Sequence, residues 1–508
     1  LGNNRAWGNL SCPQNWRSMT GAGTLARLAG NPTPFRGGKL NQTPTPGSTP
    51  HSGLSHIYPS LSLAPGYPVV RSSLRPERSR VWVTGIGLWT SLGADRESTW
   101  EGIRRGKSGA TVLPSPLVPS PSHNLGCPLF LDSNQEPPEN PTFEVVRRIS
   151  TEALIDSRLL NPSVRGSEGL AVDRERVATL VGLSKGCVKN LGVLAHASSR
   201  RTRNLEAGED GFASIWAHSS WPNSGASAVS RLHDLRGPCV APVAACATGL
   251  VAVLQGMALI QHGTCDVVLA GSADTSLEPT LMGAFKKMGV LAHQLEGKGP
   301  SQAARPWDRD RTGFVVGEGG AILILESAEH AQKRGAIPYA EVAGGALGSD
   351  AYHATTMNPD PHGLAALIGR ALAHSNIQPD QIDHVNVHGT GTRVNDPIEC
   401  QAIQLALPHE YGRIAYSANK SQIGHLLGAA GAVELALTCL SMRDRFVPPI
   451  LNLENPDPAC ALDDTPGIGR TQSIRAALKL SIGFGGHLAA ALLRQPEGSR
   501  RPALRGPG

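Results

Sequence analysis

Strands alternating with helices predict a layered α/β fold for this chain. The alternation is clearest from residue 239 onward, where the strands are short, apolar and bounded by glycine turns. One helix, at 247–263, is apolar almost all round and is therefore expected to be buried. Of the 508 residues, 40% are hydrophobic and 17% charged, which suffices for a large core. Only 4% are aromatic while Gly numbers 58, so that core is expected to be built from Ala, Val, Leu and Gly with close backbone approaches.

In chain order, residues 1–79 stand apart, rich in Gly, Pro, Ser, Asn and Thr, with Glu77 as their one acid. They read either as an acid-poor organelle leader or as a disordered extension. The run RVWVTGIGLWTSLG from Arg80 predicts a strand and a Gly-rich turn, and 95–106 a helix. Residues 108–145, heavy in Pro and Ser, read as loop, and 174–185 contains a buried strand. CVAPVAA (239–245) reads as an apolar strand leading into the buried helix, and 265–274 as the next strand. Residues 314–327 predict a strand pair or hairpin, 328–335 a helix, 339–347 a strand and 362–377 a helix. IDHVNVHGTGT (382–392) ends a strand in a Gly/Thr turn; a helix at 396–407, a strand at 414–420 and a helix at 423–443 follow. Two strands around a glycine turn close the fold at 477–494, and 495–508 form a loose Pro/Arg/Gly tail.

Charge and cysteine content exclude several functions. The net charge of +6 comes from 10 Lys and 37 Arg spread without a basic block, so nucleic acid is not an expected partner. The nine Cys include no CxxC pair and no metal-ligand spacing, which points to no metal and to a reducing, cytoplasmic setting. A mitochondrial or plastid location applies instead if 1–79 is a transit peptide. No apolar run reaches the ~18 residues of a membrane span.

Four places carry candidate chemistry. Cys246 lies between an apolar strand and the buried helix, where unpaired N–H groups and the helix dipole favour a thiolate; a structural cysteine is the competing reading. His388, in NVHGTGT, could donate to an oxyanion or shuttle a proton, with Thr390 and Thr392 lining a channel for a polar ligand arm; a plain Gly/Thr turn with a capping His competes. His425, in NKSQIGHLLGAAGAVE five residues after Lys420, is read as opening a helix, whose N-terminus favours neutral imidazole; a capping His and a surface Lys compete. GFGG (483–486) could turn backbone N–H groups toward a reacting atom beside Phe484, although many hairpins carry such a turn.

In order, VTGIGLWTSLG, APVAACATGL, RPWDRDRTGFVVGEGG, VNVHGTGT, SANKSQIGHLLGAAGAVE and GFGG resemble the motifs of elongating β-ketoacyl-acyl carrier protein synthases, over about residues 80–494. The resemblance implies a thiolase-like, five-layered αβαβα fold from two similar halves and a homodimer. It places the nucleophile in a half spanning 80–335 and both histidines in a half spanning 336–494. By position, Cys246 matches the nucleophile that takes an acyl chain from a carrier thioester. His388 and His425 match the pair that decarboxylates the malonyl donor and steadies its enolate. Lys420 matches the active-site lysine and Glu318 the glutamate placed near it. Thr390 and Thr392 match the threonines touching phosphopantetheine, Phe484 matches the gate, and the N–H groups of Cys246 and Phe484 match the oxyanion hole.

The implied partner is acyl carrier protein bearing acyl and malonyl thioesters. The protein then needs no cofactor of its own, because the phosphopantetheine belongs to the carrier. The matching position after GFGG often holds Thr or His followed by Asn, but here His487 and Leu488 follow; Arg393 and Val394 also depart from the usual turn. Residues 108–230 match poorly, so chain-length preference is not legible. A ketosynthase of a polyketide or specialised lipid pathway is the first rival. A non-condensing, carrier-binding partner subunit is the second, opposed by the intact Cys246, His388, Lys420 and His425. An acyltransferase or hydrolase using Cys246 alone would leave His425 and Lys420 without a role.

Overall fold

The structure is a computed structural model that describes residues 79–114, 117–131, 138, 140–164, 169–189, 221–460 and 469–497. The expected leader, apart from Ser79, and the last part of the expected tail lie outside the described residues.

Ten strands form the main sheet. Five belong to a first half: β1 (Val81–Trp89), β2 (Val177–Gly182), β3 (Cys239–Val240), β4 (Val267–Asp274) and β5 (Gly319–Ser327). Five belong to a second: β6 (Ala340–Ser349), β7 (Ile382–Asn386), β8 (Ala415–Ser417), β9 (Ala476–Gly483) and β10 (His487–Arg494). The spatial order is β8-β7-β9-β10-β6-β1-β5-β4-β2-β3. The first half therefore reads 1-5-4-2-3 from the centre outward and the second repeats it as 6-10-9-7-8. Directions repeat too: β4, β2 and β3 run parallel, as do β9, β7 and β8, while β5 and β10 run antiparallel to their neighbours. The halves meet where β1 pairs with β6 at Trp82–Glu341 and Val83–Ala340. The two halves are thus joined in a single hydrogen-bonded sheet of ten strands.

Helices complete the repeat. The first half inserts α1 (Pro141–Asp156), α2 (Ser224–Leu232) and α3 (Thr248–Gln261); the second inserts α4 (His362–Ser375), α5 (Asn395–Ala406) and α6 (Ala430–Asp444) at matching places. α1 covers β1 and β5 from outside, and α4 covers β6 and β10. Between the halves, α3 and α6 pack on each other, with α6 touching both β5 and β9. That central position explains their sequences. Every residue from Ala430 to Arg443 is buried, so α6 has no polar stripe to show. The strands are covered on both faces and read as continuous apolar runs, as in β1, buried along its whole length.

The two central helices cross where neither has a side chain. A Cβ on Gly249 would lie 2.6 Å from Ala432 N, and one on Gly431 would lie 2.8 Å from Leu250 N. Gly249→Ala is therefore expected to push α3 from α6 and cost about 1–3 kcal/mol, despite alanine's better helix propensity. A urea midpoint equal to or above that of the parent would contradict this crossing.

Several local expectations need correction. The strand read at 239–245 is confined to Cys239–Val240; Pro242 has no N–H, and Ala244 N bonds to Thr248 Oγ1 at 2.9 Å. The hairpin at 314–327 is not one: Val316–Gly317 pairs in parallel with Leu125–Cys127 in a small separate sheet, while β5 joins the main sheet. The helix read at 423–443 starts only at Ala430. The loop at 108–145 holds two short strands and the start of α1, where Asn140 Oδ1 caps Phe143 N at 3.2 Å.

Candidate active site

Loops that follow strands of both halves build one cavity of about 720 Å³. Cys246, His388, His425, Thr390, Thr392 and Phe484 all line it. Residues up to 238 positions apart in sequence, Cys246 and Phe484, therefore meet because the two halves repeat.

Cys246 sits in the single turn Ala245–Ala247 that runs into α3, as expected. Ala245 has φ 47°, a left-handed conformation that turns the chain sharply before the thiol. Gly483, ending β9, leaves room for that turn: a Cβ there would lie 2.6 Å from Ala244 O and 3.2 Å from Cys246 N. The next residue, Phe484, directs its backbone N–H at the Cys246 thiol. Burial pushes the thiol up to about 11, although Lys185, Lys420 and the Phe484 N–H favour the anion.

His388 follows β7. Its N–H and that of Gly389 donate to the Glu399 carboxylate at 2.6 and 2.9 Å, which fixes the turn from α5. Its carbonyl accepts from Lys420 Nζ at 2.6 Å, and the same ammonium lies 3.5 Å from its Nδ1. His425 is held by Val315 and Gly317: its N–H donates to Val315 O at 2.7 Å and its carbonyl accepts from Gly317 N at 3.0 Å. The His425 ring meets Phe314 edge to face at 5.1 Å and His388 at 5.4 Å between centroids.

Both imidazoles are held neutral. Burial lowers each well below its usual value, and the Lys420 charge adds to the effect. Nδ1 of His425 accepts from Leu427 N at 3.3 Å, and Nδ1 of His388 faces the Lys420 ammonium. In each ring the proton therefore belongs on Nε2, giving the cavity two neutral N–H donors. The helix N-terminus invoked for His425 is not the cause, because α6 begins five residues later.

Glu318 also needs correction. Its carboxylate accepts from Leu277 N at 3.1 Å and from the Leu129 backbone, and burial raises it to about 7. The partner of Lys420 is Glu434 on α6, at 2.5 Å, and Glu434 also binds Lys479 of β9 at 2.6 Å. Glu399, Glu434 and Lys479 are supporting residues that sequence reasoning missed. Their signal was a charge inside an apolar run, as in GAVELAL and ALKLSIG. Thr390 and Thr392 share a 3.0 Å hydrogen bond at the cavity wall. Among the described residues, no group of three His, Cys, Asp or Glu could hold a metal ion, and no helix is long and apolar enough to cross a membrane.

Buried titrating groups set the acid response. His233 and His384 are lowered to about 4 and about 3, and His388 and His425 are also depressed. Only the unfolded chain protonates these four as pH drops through about 6.5, so stability falls. Glu152, Glu318 and Glu399 are raised to about 7. The folded chain alone protonates them between about 7 and 4.5, so stability rises as pH falls through that window. The two sets oppose each other there. Below it the glutamate gain is complete, the histidine loss continues, and paired carboxylates such as Asp308 and Glu326 begin to be lost. The melting temperature is expected to be nearly level from about pH 7 to 5 and to drop steeply below about pH 4.5. A steady decline starting at pH 7 would contradict this balance.

Comparison with known proteins agrees with the geometry. Residues 141–331 match the profile of the β-ketoacyl synthase N-terminal domain, and 339–454 that of its C-terminal domain. The first match starts inside the segment whose resemblance is faint by eye. The 3-oxoacyl-[acyl-carrier-protein] synthase 2 of Coxiella burnetii is 32% identical, covering 81% of this chain and 97% of the relative. That of Mycobacterium tuberculosis is 35% identical, covering 81% and 96%. The tetracenomycin polyketide synthase ketoacyl synthase alpha subunit of Streptomyces glaucescens is 33% identical, covering 84% and 99%. Among solved structures, a type II polyketide ketosynthase in complex with its acyl-carrier protein superposes with a TM-score of 0.74 at 29% identity, covering 83% of this chain and 100% of that one. A β-ketoacyl synthase from Burkholderia phymatum gives 0.71 at 28%, covering 82% and 100%. With both domain profiles matched, relatives spanned almost end to end, and a cysteine and two neutral histidines in one cavity, the chain belongs to the β-ketoacyl synthase family.

Proposed function

We propose that this condensing enzyme joins an acyl group held on Cys246 to the enolate of a malonyl group delivered by acyl carrier protein. The observation that carries the proposal is the meeting of Cys246, His388 and His425 in one cavity, with both imidazoles neutral. The thiol attacks a carrier-bound acyl thioester and its proton passes to the departing carrier thiolate, so that the carrier leaves as a free thiol. The N–H groups of Cys246 and Phe484 receive the thioester oxygen. Malonyl thioester then loses carbon dioxide. Its electron pair becomes an enolate whose oxygen takes hydrogen bonds from His388 and His425, and the enolate carbon attacks the acyl carbonyl. Cys246 is released and the product is two carbons longer.

Lys420 acts through His388, whose carbonyl it holds, and Glu434 acts through Lys420. Thr390 and Thr392 bind the phosphopantetheine arm at the cavity wall. The homodimer would form across β3, one of the sheet's two edge strands, where Val240 is 44% and nearby Val243 51% exposed.

The test is intact-protein mass spectrometry. After incubation with acyl-carrier thioesters, a mass gain on Cys246 is expected, disappearing when malonyl carrier is added and a two-carbon-longer product forms. Absence of any adduct would favour a non-condensing partner subunit instead.

A further inference from the structure

The cavity holds a second cation near Cys246 to which the reaction above gives no task. Lys185 lies in the loop after β2, the first-half counterpart of the loop after β7 that carries His388. Its Nζ donates to Asp274 Oδ2 at 2.6 Å and to Ser184 Oγ at 2.9 Å. Asp274, at the end of β4, is almost wholly buried and takes three more donors: Ser184 Oγ at 2.9 Å, Gly428 N at 3.1 Å, and Ser276 Oγ. Gly428 lies three residues after His425. The carboxylate thus ties Lys185 to the segment carrying His425, and Ser184, Lys185, Cys246 and Leu427 line the same cavity.

A lysine beside a thiol has two obvious tasks: stabilising the thiolate, or binding substrate. Charge balance decides between them. Asp274 is paired to Lys185 and opposes its effect on the thiol, so the pair adds little net field at the sulfur. Hydrogen bonding is not cancelled in this way. An ammonium has three N–H donors, and Asp274 and Ser184 take two of them. A plain alkyl chain laid against Lys185 would strip water from the third and give nothing back. A keto or hydroxyl oxygen would satisfy it. A carboxylate is less suited, because Asp274 already neutralises the charge.

We propose that Lys185 is a specificity-determining residue whose Nζ donates a hydrogen bond to a neutral oxygen on the acyl group, so that keto- or hydroxyl-bearing acyl chains load Cys246 in preference to alkyl chains of equal length. This rests on the condensing reading and names its substrate class.

The experiment measures Cys246 acylation rates in the full chain by intact mass, using pantetheine thioesters of hexanoyl, 3-oxohexanoyl, 5-oxohexanoyl and adipyl groups. At least one oxo chain is expected to load about tenfold faster than hexanoyl. Lys185→Met is expected to bring that ratio near one. Lys185→Met combined with Asp274→Asn, which leaves no unpaired buried carboxylate, is expected to do the same if the single variant folds poorly. The assignment is overturned if hexanoyl loads as fast as both oxo chains in the parent, if the preference survives in the variants, or if adipyl loads fastest. Failure of every chain to load would instead remove the condensing reading beneath it.

Discussion

Cys246→Ala is expected to lower condensation on the order of 10⁴-fold or more while malonyl decarboxylation continues. The two activities separate because the cavity divides their groups. Carbon–carbon bond formation needs the acyl group to be covalently held on sulfur at the start of α3. Loss of carbon dioxide needs only the donors on the enolate oxygen, His388 and His425, whose supports come from Glu399, Lys420, Val315 and Gly317. None of those supports involves the thiol. Alanine fits the same turn, because Ala245 and Gly483, not the sulfur, set its shape. Two measurements follow, carbon dioxide release from malonyl carrier and appearance of the lengthened product. Residual elongation within tenfold of the parent would exclude Cys246 as the nucleophile. Loss of both activities in a folded variant would mean that the thiol also positions the malonyl group.

How far this site was legible in the sequence depends on how local each cause is. Cys246, His388 and His425 stand in runs whose composition is set by close contacts, so glycine and small residues flag them. Glu318 misled because VVGEGG looks like a site motif, yet its carboxylate is consumed by backbone N–H groups of two neighbouring loops, at Leu277 and Leu129. The actual partner of Lys420 lies on α6, and only the packing of α6 against β9 brings Glu434 and Lys479 together. No local pattern encodes that meeting. The same holds for the fold. β1 and α3 are plain in the sequence because burial on both sides makes them continuously apolar. The start of α1 was hidden in a Pro-rich stretch, although Asn140 and Pro141 form a recognisable helix start. The two-residue strand β3 was overread because extended apolar chain looks like strand whether or not it is paired.

Glu434→Leu is expected to be the most destabilising substitution in the site, by about 3–5 kcal/mol or more. The reason is a charge count. Lys420 and Lys479 are 2% and 0% exposed, and the carboxylate of Glu434, itself 1% exposed, bonds to both. Removing the carboxylate leaves two buried ammonium groups without their anion. Lys479→Met, by contrast, leaves a one-to-one Lys420–Glu434 pair and is expected to cost much less. The melting temperature is expected to fall by roughly 3–6 °C for Glu434→Leu and by a small fraction of that for Lys479→Met.

The pH response gives an independent reading of the same count. Burial lowers Lys479 to about 8, so the unfolded chain binds a proton there that the folded chain lacks from about pH 8 up to its ordinary value of 10.5. Stability rises with pH across that window. Without Glu434 the Lys479 ammonium loses the anion that favours its charge and is depressed further, so its window opens at lower pH. The deficit of Glu434→Leu relative to the parent is therefore expected to shrink between pH 7 and 10, as the stranded Lys479 becomes neutral. A deficit that stays constant over that range would show that Glu434 stabilises the fold through packing against its neighbours and not through its charge. Equal losses for Glu434→Leu and Lys479→Met would refute the charge count at neutral pH, before any titration is needed.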